Sequence, residues 1–264
     1  MKKFTSALLA VTALTAANVF AAGAVDSKTG AYVGGNVGMA NTNVKYNFVM
    51  GGKTNSGTTD LPASQMNNWK TESGKMNPLF GLMAGYGMQV GTMYFGGEVY
   101  GGFDSAKVTS YDDNATGRDA SAFFVSKTKR TNFYGIAARL GAFVTPSTML
   151  YAKLGVEGGK WTSTVTNAAN SGGSTLNGGV VKLTGTSVGP FKSNKSGISF
   201  VPGLGLDAFI TKNLFLRAEY TYLFGPKITV IQDSSNNNSF SGSVVTHKFQ
   251  ITQQTFKVGV GYKF

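Results

Sequence analysis

Alternation of apolar and polar residues with a period of two, the mark of a strand with one apolar face, recurs along the chain in eight segments. They span 31–39, 79–89, 93–104, 133–144, 150–161, 198–211, 214–224 and 249–264. Each is near the roughly 9–11 residues that a tilted membrane-crossing strand needs. The connections alternate too. Very short turns around Val90-Gly91-Thr92, Pro146-Ser147 and Lys212-Asn213 follow the second, fourth and sixth segments. Stretches of roughly 20 to 40 residues rich in Asn, Ser, Thr, Gly and Lys follow the first, third, fifth and seventh. An up-and-down barrel with short periplasmic turns, long external loops and periplasmic termini predicts this alternation.

Parity assigns the faces. In the seventh segment Leu214, Leu216, Ala218, Tyr220, Tyr222 and Phe224 share one side, and Phe215, Arg217, Glu219 and Thr221 the other. In the sixth, Phe200, Pro202, Leu204, Leu206, Ala208 and Ile210 oppose Gly203, Gly205 and Asp207. The third sets Phe95, Val99 and Phe103 against Glu98 and Asp104. The fourth sets Ile136, Leu140 and Val144 against Arg139, and the fifth sets Leu150, Ala152, Leu154 and Val156 against Lys153 and Glu157. Parity cannot tell inside from outside, and a lipocalin-like soluble barrel would turn the charges outward. Export and the loop asymmetry favour the membrane, with hydrocarbon outside and a lumen network of Glu98, Arg139, Lys153, Glu157, Asp207, Arg217, Glu219 and Lys257.

Pro202 removes a ladder donor, which predicts a bulge there. The alternation of Lys227–Ile231 and Val244–Ile251 around a polar tip, Ser234 to Asn238, predicts strands continuing above the membrane. Gly179-Val180-Val181-Lys182-Leu183 is one more candidate strand, which would raise the count to ten if it paired within the membrane.

The two ends set the compartment. Lys2 and Lys3, an apolar stretch and then small residues read as a signal peptide over residues 1–24, cleaved after Ala21 or Ala24. Residues 25–264 are then one barrel domain, with no peptidoglycan-binding module expected after it. At the other end Lys257, Gly259, Tyr262 and Phe264 resemble the terminal signal that the assembly machinery reads in bacterial β-barrels: polar residue, gap, glycine, two gaps, aromatic, gap, aromatic. Val258, Val260, Tyr262 and Phe264 should face lipid, with Gly259 and Gly261 leaving room beside Lys257.

Composition narrows the chemistry. There is no Cys, which removes thiol catalysis, thiolate metal sites and disulfides. Glycine, with 36 residues, is about twice its usual share and Pro is scarce, as a curved, continuous sheet requires. The formal net charge is +12, about +10 without Lys2 and Lys3. The basic residues are scattered, with no cluster interleaved with aromatics, so nucleic acid is not the expected partner. Lys53, Lys70, Lys75, Lys127, Lys129, Arg130, Lys192 and Lys195 are read as external, placed to meet lipopolysaccharide or acidic host groups if they are more than ordinary solvated lysines.

Catalytic readings are thin. His247, the single His, could act as a base beside Ser241 or Ser243, but a solvated hairpin His is the commoner case. Asp112 and Asp113 would point apart in an extended strand, and Gly52-Lys53-Thr54 lacks the leading glycine of a phosphate loop. No catalytic residue, cofactor or metal site is expected.

Tyr151-Ala152-Lys153-Leu154-Gly155, the run Pro202-Gly203-Leu204-Gly205-Leu206 leading to Arg217-Ala218-Glu219-Tyr220-Thr221-Tyr222, and the terminal Phe264 resemble the small OmpA/opacity-type outer-membrane β-barrels. The resemblance covers essentially the whole mature chain. It implies an all-β, eight-stranded antiparallel barrel in the outer membrane of a Gram-negative bacterium. It specifies activity poorly, since such barrels include adhesins, stress-induced surface proteins and many of unassigned role. The expectation is therefore a structural or interaction protein with a plugged lumen. The alternatives are a small gated pore and, third, a lipid-modifying enzyme.

Overall fold

The computed structural model describes residues 28–52, 68–111, 124–167, 174–176, 179–181, 191–233 and 243–264. In chain order the strands are β1 (Gly30–Gly52), β2 (Asn68–Val90), β3 (Met93–Asp104), β4 (Lys107–Tyr111), β5 (Phe124–Thr145), β6 (Thr148–Asn167), β7 (Ser174–Leu176), β8 (Gly179–Val181), β9 (Phe191–Phe209), β10 (Leu214–Asp233) and β11 (Ser243–Lys263). All pairings are antiparallel. Eight strands form a closed ring, with β1 sealed against β11 and β3 against β5. The short β4 extends the β3 position alongside β5. Among the described residues β7 and β8 pair only with each other, so the described part of the candidate strand Gly179–Leu183 adds nothing to the ring.

The register fixes the barrel's shape. Val37 pairs with Val258, and the partners then run through Ala218, Leu206, Leu150, Ala142, Met93 and Val90. Extending the β1–β2 register places Val90 opposite position 27, ten residues below the start. With a strand spacing of about 4.8 Å and a rise of about 3.3 Å per residue, that stagger tilts the strands by about 40°. At this tilt the 23 residues of β1 climb about 55–60 Å, more than twice the roughly 25 Å apolar band of an outer-membrane barrel. Seven of the eight ring strands run past the eight membrane-crossing segments read in the sequence, β10 and β11 through the Lys227–Ile231 and Val244–Ile251 stretches expected to continue above the membrane, and the barrel rises well beyond it.

Two polarity patterns share one ring. In the lower half the exposed outer face carries Val37, Leu82, Val99, Ile136, Leu154, Leu204 and Val260. Over the same levels the lumen holds charges. In the upper half the pattern inverts: Lys45, Lys227, Lys248 and Gln250 point out, and Val44, Tyr46, Val108, Trp161, Leu223, Ile228, Phe249 and Ile251 form an apolar plug inside. A barrel solvated by hydrocarbon must keep its polar groups inward, and one solvated by water does the opposite. The inversion therefore marks the outer membrane boundary.

Bulges change the parity. The β5–β6 register shifts between Arg130 and Phe133 and again between Phe143 and Thr145. The β10–β11 register shifts between Phe224 and Lys227, where Gly225 and Pro226 stand. The bulge expected at Pro202 is absent: Pro202 lies opposite Leu154 in an unshifted β6–β9 ladder. On the other side the β9–β10 pairing lapses between Gly203 and Phe200 and resumes in the same register. A missing donor needs only a local gap in the ladder; a bulge needs an extra residue.

At the periplasmic end Gly91 takes the left-handed conformation, φ +58°, in the tight turn before β3. The Phe264 amide closes the seam by donating to the Ala31 carbonyl at 2.9 Å. The segment read as a signal peptide lies outside the described residues.

Candidate functional site

Seven of the eight charges named from the sequence converge in the lower lumen, each on the inward face of its strand. Cross-strand register sets two contacts. Arg217 lies opposite Asp207, and Glu219 opposite Lys257. Arg217 grips Asp207 with two parallel bonds, Nε to Oδ1 at 2.7 Å and one terminal nitrogen to Oδ2 at 2.9 Å, and turns its other nitrogen to Glu98. Lys257 Nζ reaches Glu219 at 2.9 Å.

A third register pair is like-charged, Arg139 opposite Lys153, which repels unless the two side chains part. Lys153 turns to Glu98 at 2.8 Å and to Glu219 at 3.2 Å. Arg139 turns away to Asp207 at 2.7 Å and stacks on the Tyr151 ring, 3.8 Å from its centroid. Tyrosines complete the carboxylate shells: Tyr32 donates to Glu98 at 2.9 Å and Tyr151 to Glu219 at 3.0 Å. Desolvating charges is costly, and only this degree of mutual pairing offsets it.

Glu157, the eighth, sits one tier higher. It pairs with Arg130, which also donates to Gln253 at 2.8 Å and approaches Asp104 at 3.7 Å. Gln253 in turn donates to Asp104 at 2.7 Å and Thr42 at 2.9 Å. Arg130, expected in an external loop before the fourth segment, is a buried lumen residue, because β5 extends past it. The bulge between Arg130 and Phe133 flips the face of everything above it in β5, so counting from Arg139 puts Arg130 on the wrong side. Asp104 lies on the inward face that parity gives it and joins this tier through Arg130 and Gln253. The two tiers together hold five cations and five carboxylates: Arg130, Arg139, Lys153, Arg217 and Lys257 against Glu98, Asp104, Glu157, Asp207 and Glu219.

Aromatic rings pack in the lumen below the charges, with Phe209 5.4 Å from Phe215 and 6.2 Å from Phe143 between ring centroids. The apolar cluster packs above them. Between them a void of about 10 Å³ touches Asn36, Met83, Glu98, Lys153 and Lys257, room for about one water. The room beside Lys257 is left by Gly38, where a Cβ would stand 2.9 Å from the lysine Cγ. Gly261 instead admits the Phe215 ring, 2.1 Å from where a Cβ would be.

The terminal residues Val258, Val260, Tyr262 and Phe264 all face outward and are exposed, with the Tyr262 and Phe264 rings edge-on at 5.3 Å. His247 is not in a solvated hairpin. It is fully buried in the upper barrel, shares a 2.7 Å hydrogen bond between its Nδ1 and the Tyr46 hydroxyl, and lies parallel to that ring. Burial lowers its pKa to about 4, so it is neutral near pH 7. Ser241 lies outside the described residues, and a ring locked to Tyr46 in an apolar plug is poorly placed to accept a substrate proton. Among the described residues no group of three or more His, Cys, Asp or Glu could hold a metal ion. Of the remaining loop lysines, Lys75, Lys127 and Lys129 are exposed, and Lys53 lies outside the described residues.

An outward apolar belt, an inward charge network and a sealed ring define a membrane-spanning β-barrel. The chain belongs to the outer membrane protein beta-barrel domain family, whose profile matches residues 6–264, and it is an outer-membrane protein. Among solved structures it is similar to the attachment invasion locus protein Ail of Yersinia pestis, with 14% identity over 89% of this chain and 99% of that one, TM-score 0.38. It is also similar to OprG of Pseudomonas aeruginosa, with 12% identity over 90% and 97%, TM-score 0.49. The outer membrane protease OmpT of Escherichia coli shares 8% identity over 91% and 99%, TM-score 0.45. No curated protein sequence is close enough to count as a relative.

Proposed function

We propose that the protein, exported by residues 1–24 and folded from 25–264, is a non-conducting surface protein with a structural and interaction role. Its loops and upper barrel contact lipopolysaccharide or acidic host-surface groups. The observation that carries this reading is the closed lumen: paired charges fill it at membrane level, with apolar side chains above and aromatic rings below. A conducting pore would need a continuous wet path, and a void of about 10 Å³ is not one. The eight lumen charges named from the sequence act in this reading as the structural plug. Lys257, Gly259, Tyr262 and Phe264 act as the signal read by the assembly machinery. The extended upper barrel supports an outward-facing role, because it lifts a water-exposed, lysine-bearing wall far above the bilayer.

The test is binding of the folded protein to lipopolysaccharide-coated and heparin-coated surfaces at low and high salt. Binding that weakens with salt is expected, because electrostatic attraction of exposed charges is screened. No binding to either surface would remove the interaction role.

A further inference from the structure

We propose that the wall formed by β3, β4, β5 and β6 holds one outer-leaflet lipid with a phosphorylated headgroup. Its phosphates rest on Lys107, Lys129 and Lys160, and an acyl chain lies in an apolar groove below them. The inference deepens the surface-contact reading and rests on it only for the outer-membrane setting, not for the loops.

Two independent features meet on β5 and β6. The first is a groove of about 660 Å³ in the lipid-facing belt, within the roughly 300–1,000 Å³ of small-molecule sites. One row of paired residues, Ala84, Val99, Ile136, Val156 and Phe200, runs across it. In the row below, Gly97 and Ala138 are cross-strand partners. Gly97 has open space where a Cβ would be, so the belt is dented here. The groove opens sideways into hydrocarbon, which says what occupies it: a lipid chain.

The second feature is charge. Lys107 and Lys129 are direct cross-strand partners. Lys160 stands two residues before Thr162, the partner of Lys129, and so lies diagonal to it. All three are exposed. Directly opposed like charges destabilise a sheet, and among the described residues none of these lysines has a carboxylate partner, whereas Lys45 faces Glu72 at 3.7 Å. An anion from outside would relieve the repulsion. The height fits a headgroup. Lys160 lies four residues beyond Val156 on β6, about 13 Å along the strand and about 10 Å higher at the tilt given above. That places it just above exposed Tyr134, Phe103 and Ile198, the rim of the apolar belt. Lysines at a membrane surface attract anionic headgroups there.

The test titrates the detergent-solubilised full-length mature protein with lipid A, phosphatidylglycerol and phosphatidylethanolamine, read by native mass spectrometry. The variants are Lys107→Gln/Lys129→Gln/Lys160→Gln together, Ala138→Phe to fill the groove, and Lys212→Gln in the periplasmic turn as a control away from both surfaces, each first confirmed folded by heat-modifiable mobility. The triple variant should bind lipid A about tenfold or more weakly. Ala138→Phe should also weaken lipid A, and Lys212→Gln should match the wild type. Unchanged lipid A binding by the triple variant overturns the site, and so does an equal loss for phosphatidylglycerol, which would mean general attraction to anions. A triple variant that keeps lipid A but loses heparin also overturns the lipid site, while leaving the surface-contact reading in place.

Discussion

Replacing Glu98 by Gln is the sharpest perturbation of the lumen. This carboxylate accepts from Tyr32 at 2.9 Å, Lys153 at 2.8 Å and Arg217, with Arg139 at 3.9 Å. The amide keeps the shape and one acceptor, but its NH₂ group now points at cations and the negative charge is gone. The lower tier, which pairs four cations with three carboxylates, is left with two. Breaking a buried ion pair from one side costs about 3–5 kcal/mol. Three partners lose a charge-assisted acceptor here, so the upper half of that range applies, about 4 kcal/mol. With a urea slope of about 1–3 kcal/mol per molar, the unfolding midpoint should fall by about 1–4 M. Equilibrium unfolding in detergent micelles, followed by tryptophan fluorescence and gel mobility, reads the shift. Adding Lys153→Met removes one of the stranded cations, so the double variant should recover part of the loss. A Glu98→Gln protein within about 0.5 kcal/mol of wild type, the size of an ordinary surface substitution, would mean that the lumen is hydrated and the pairing described above does not hold it.

Other expectations follow from the upper barrel and the seam. His247 has a folded pKa of about 4 against a reference of 6.5, so the unfolded chain binds the proton first. Stability should be full above pH 6.5 and fall by about 3 kcal/mol as the pH drops toward 4, and His247→Phe should flatten that slope in pH-dependent unfolding. Arg130→Met strands Glu157 and Asp104 and should cost about 3 kcal/mol or more, whereas the same change at exposed Lys127 should lie within about 0.5 kcal/mol. Deleting Phe264 should cut the amount of assembled barrel in cells more than it lowers the refolded protein's stability in detergent. Normal insertion of that truncation would show the residue to be only the end of a strand.

The membrane half of the fold was legible because its rules are strict: apolar outward, polar inward, period two. Arg217, Glu219, Lys153 and Glu98 could be assigned to the lumen by parity alone. The limit of that method is visible at Arg130. One inserted residue in β5 exchanges inside and outside, and nothing in Thr131-Asn132 announces it. Gly225-Pro226 in β10 does the same, though there the proline was a usable cue, better than Pro202, whose side chain fits an unshifted ladder. Alternation announced the upper barrel at Lys227–Ile231 and Val244–Ile251, and the rest was harder to see because water, not lipid, bathes it. Phe249, Ile251 and Tyr46 turn inward at a level where a membrane reading would turn them out, and His247 goes with them. Which carboxylate pairs with which cation was not readable, since Arg139 and Lys153 sit directly opposed and resolve their repulsion only by turning in opposite directions.

Planar-bilayer recording of the wild-type protein bears most directly on the central claim that paired charges and packed rings close the lumen. The predicted trace shows no steady conductance after insertion, at either polarity. A large open channel in most insertions would contradict the closed lumen and return the chain to the class of pores.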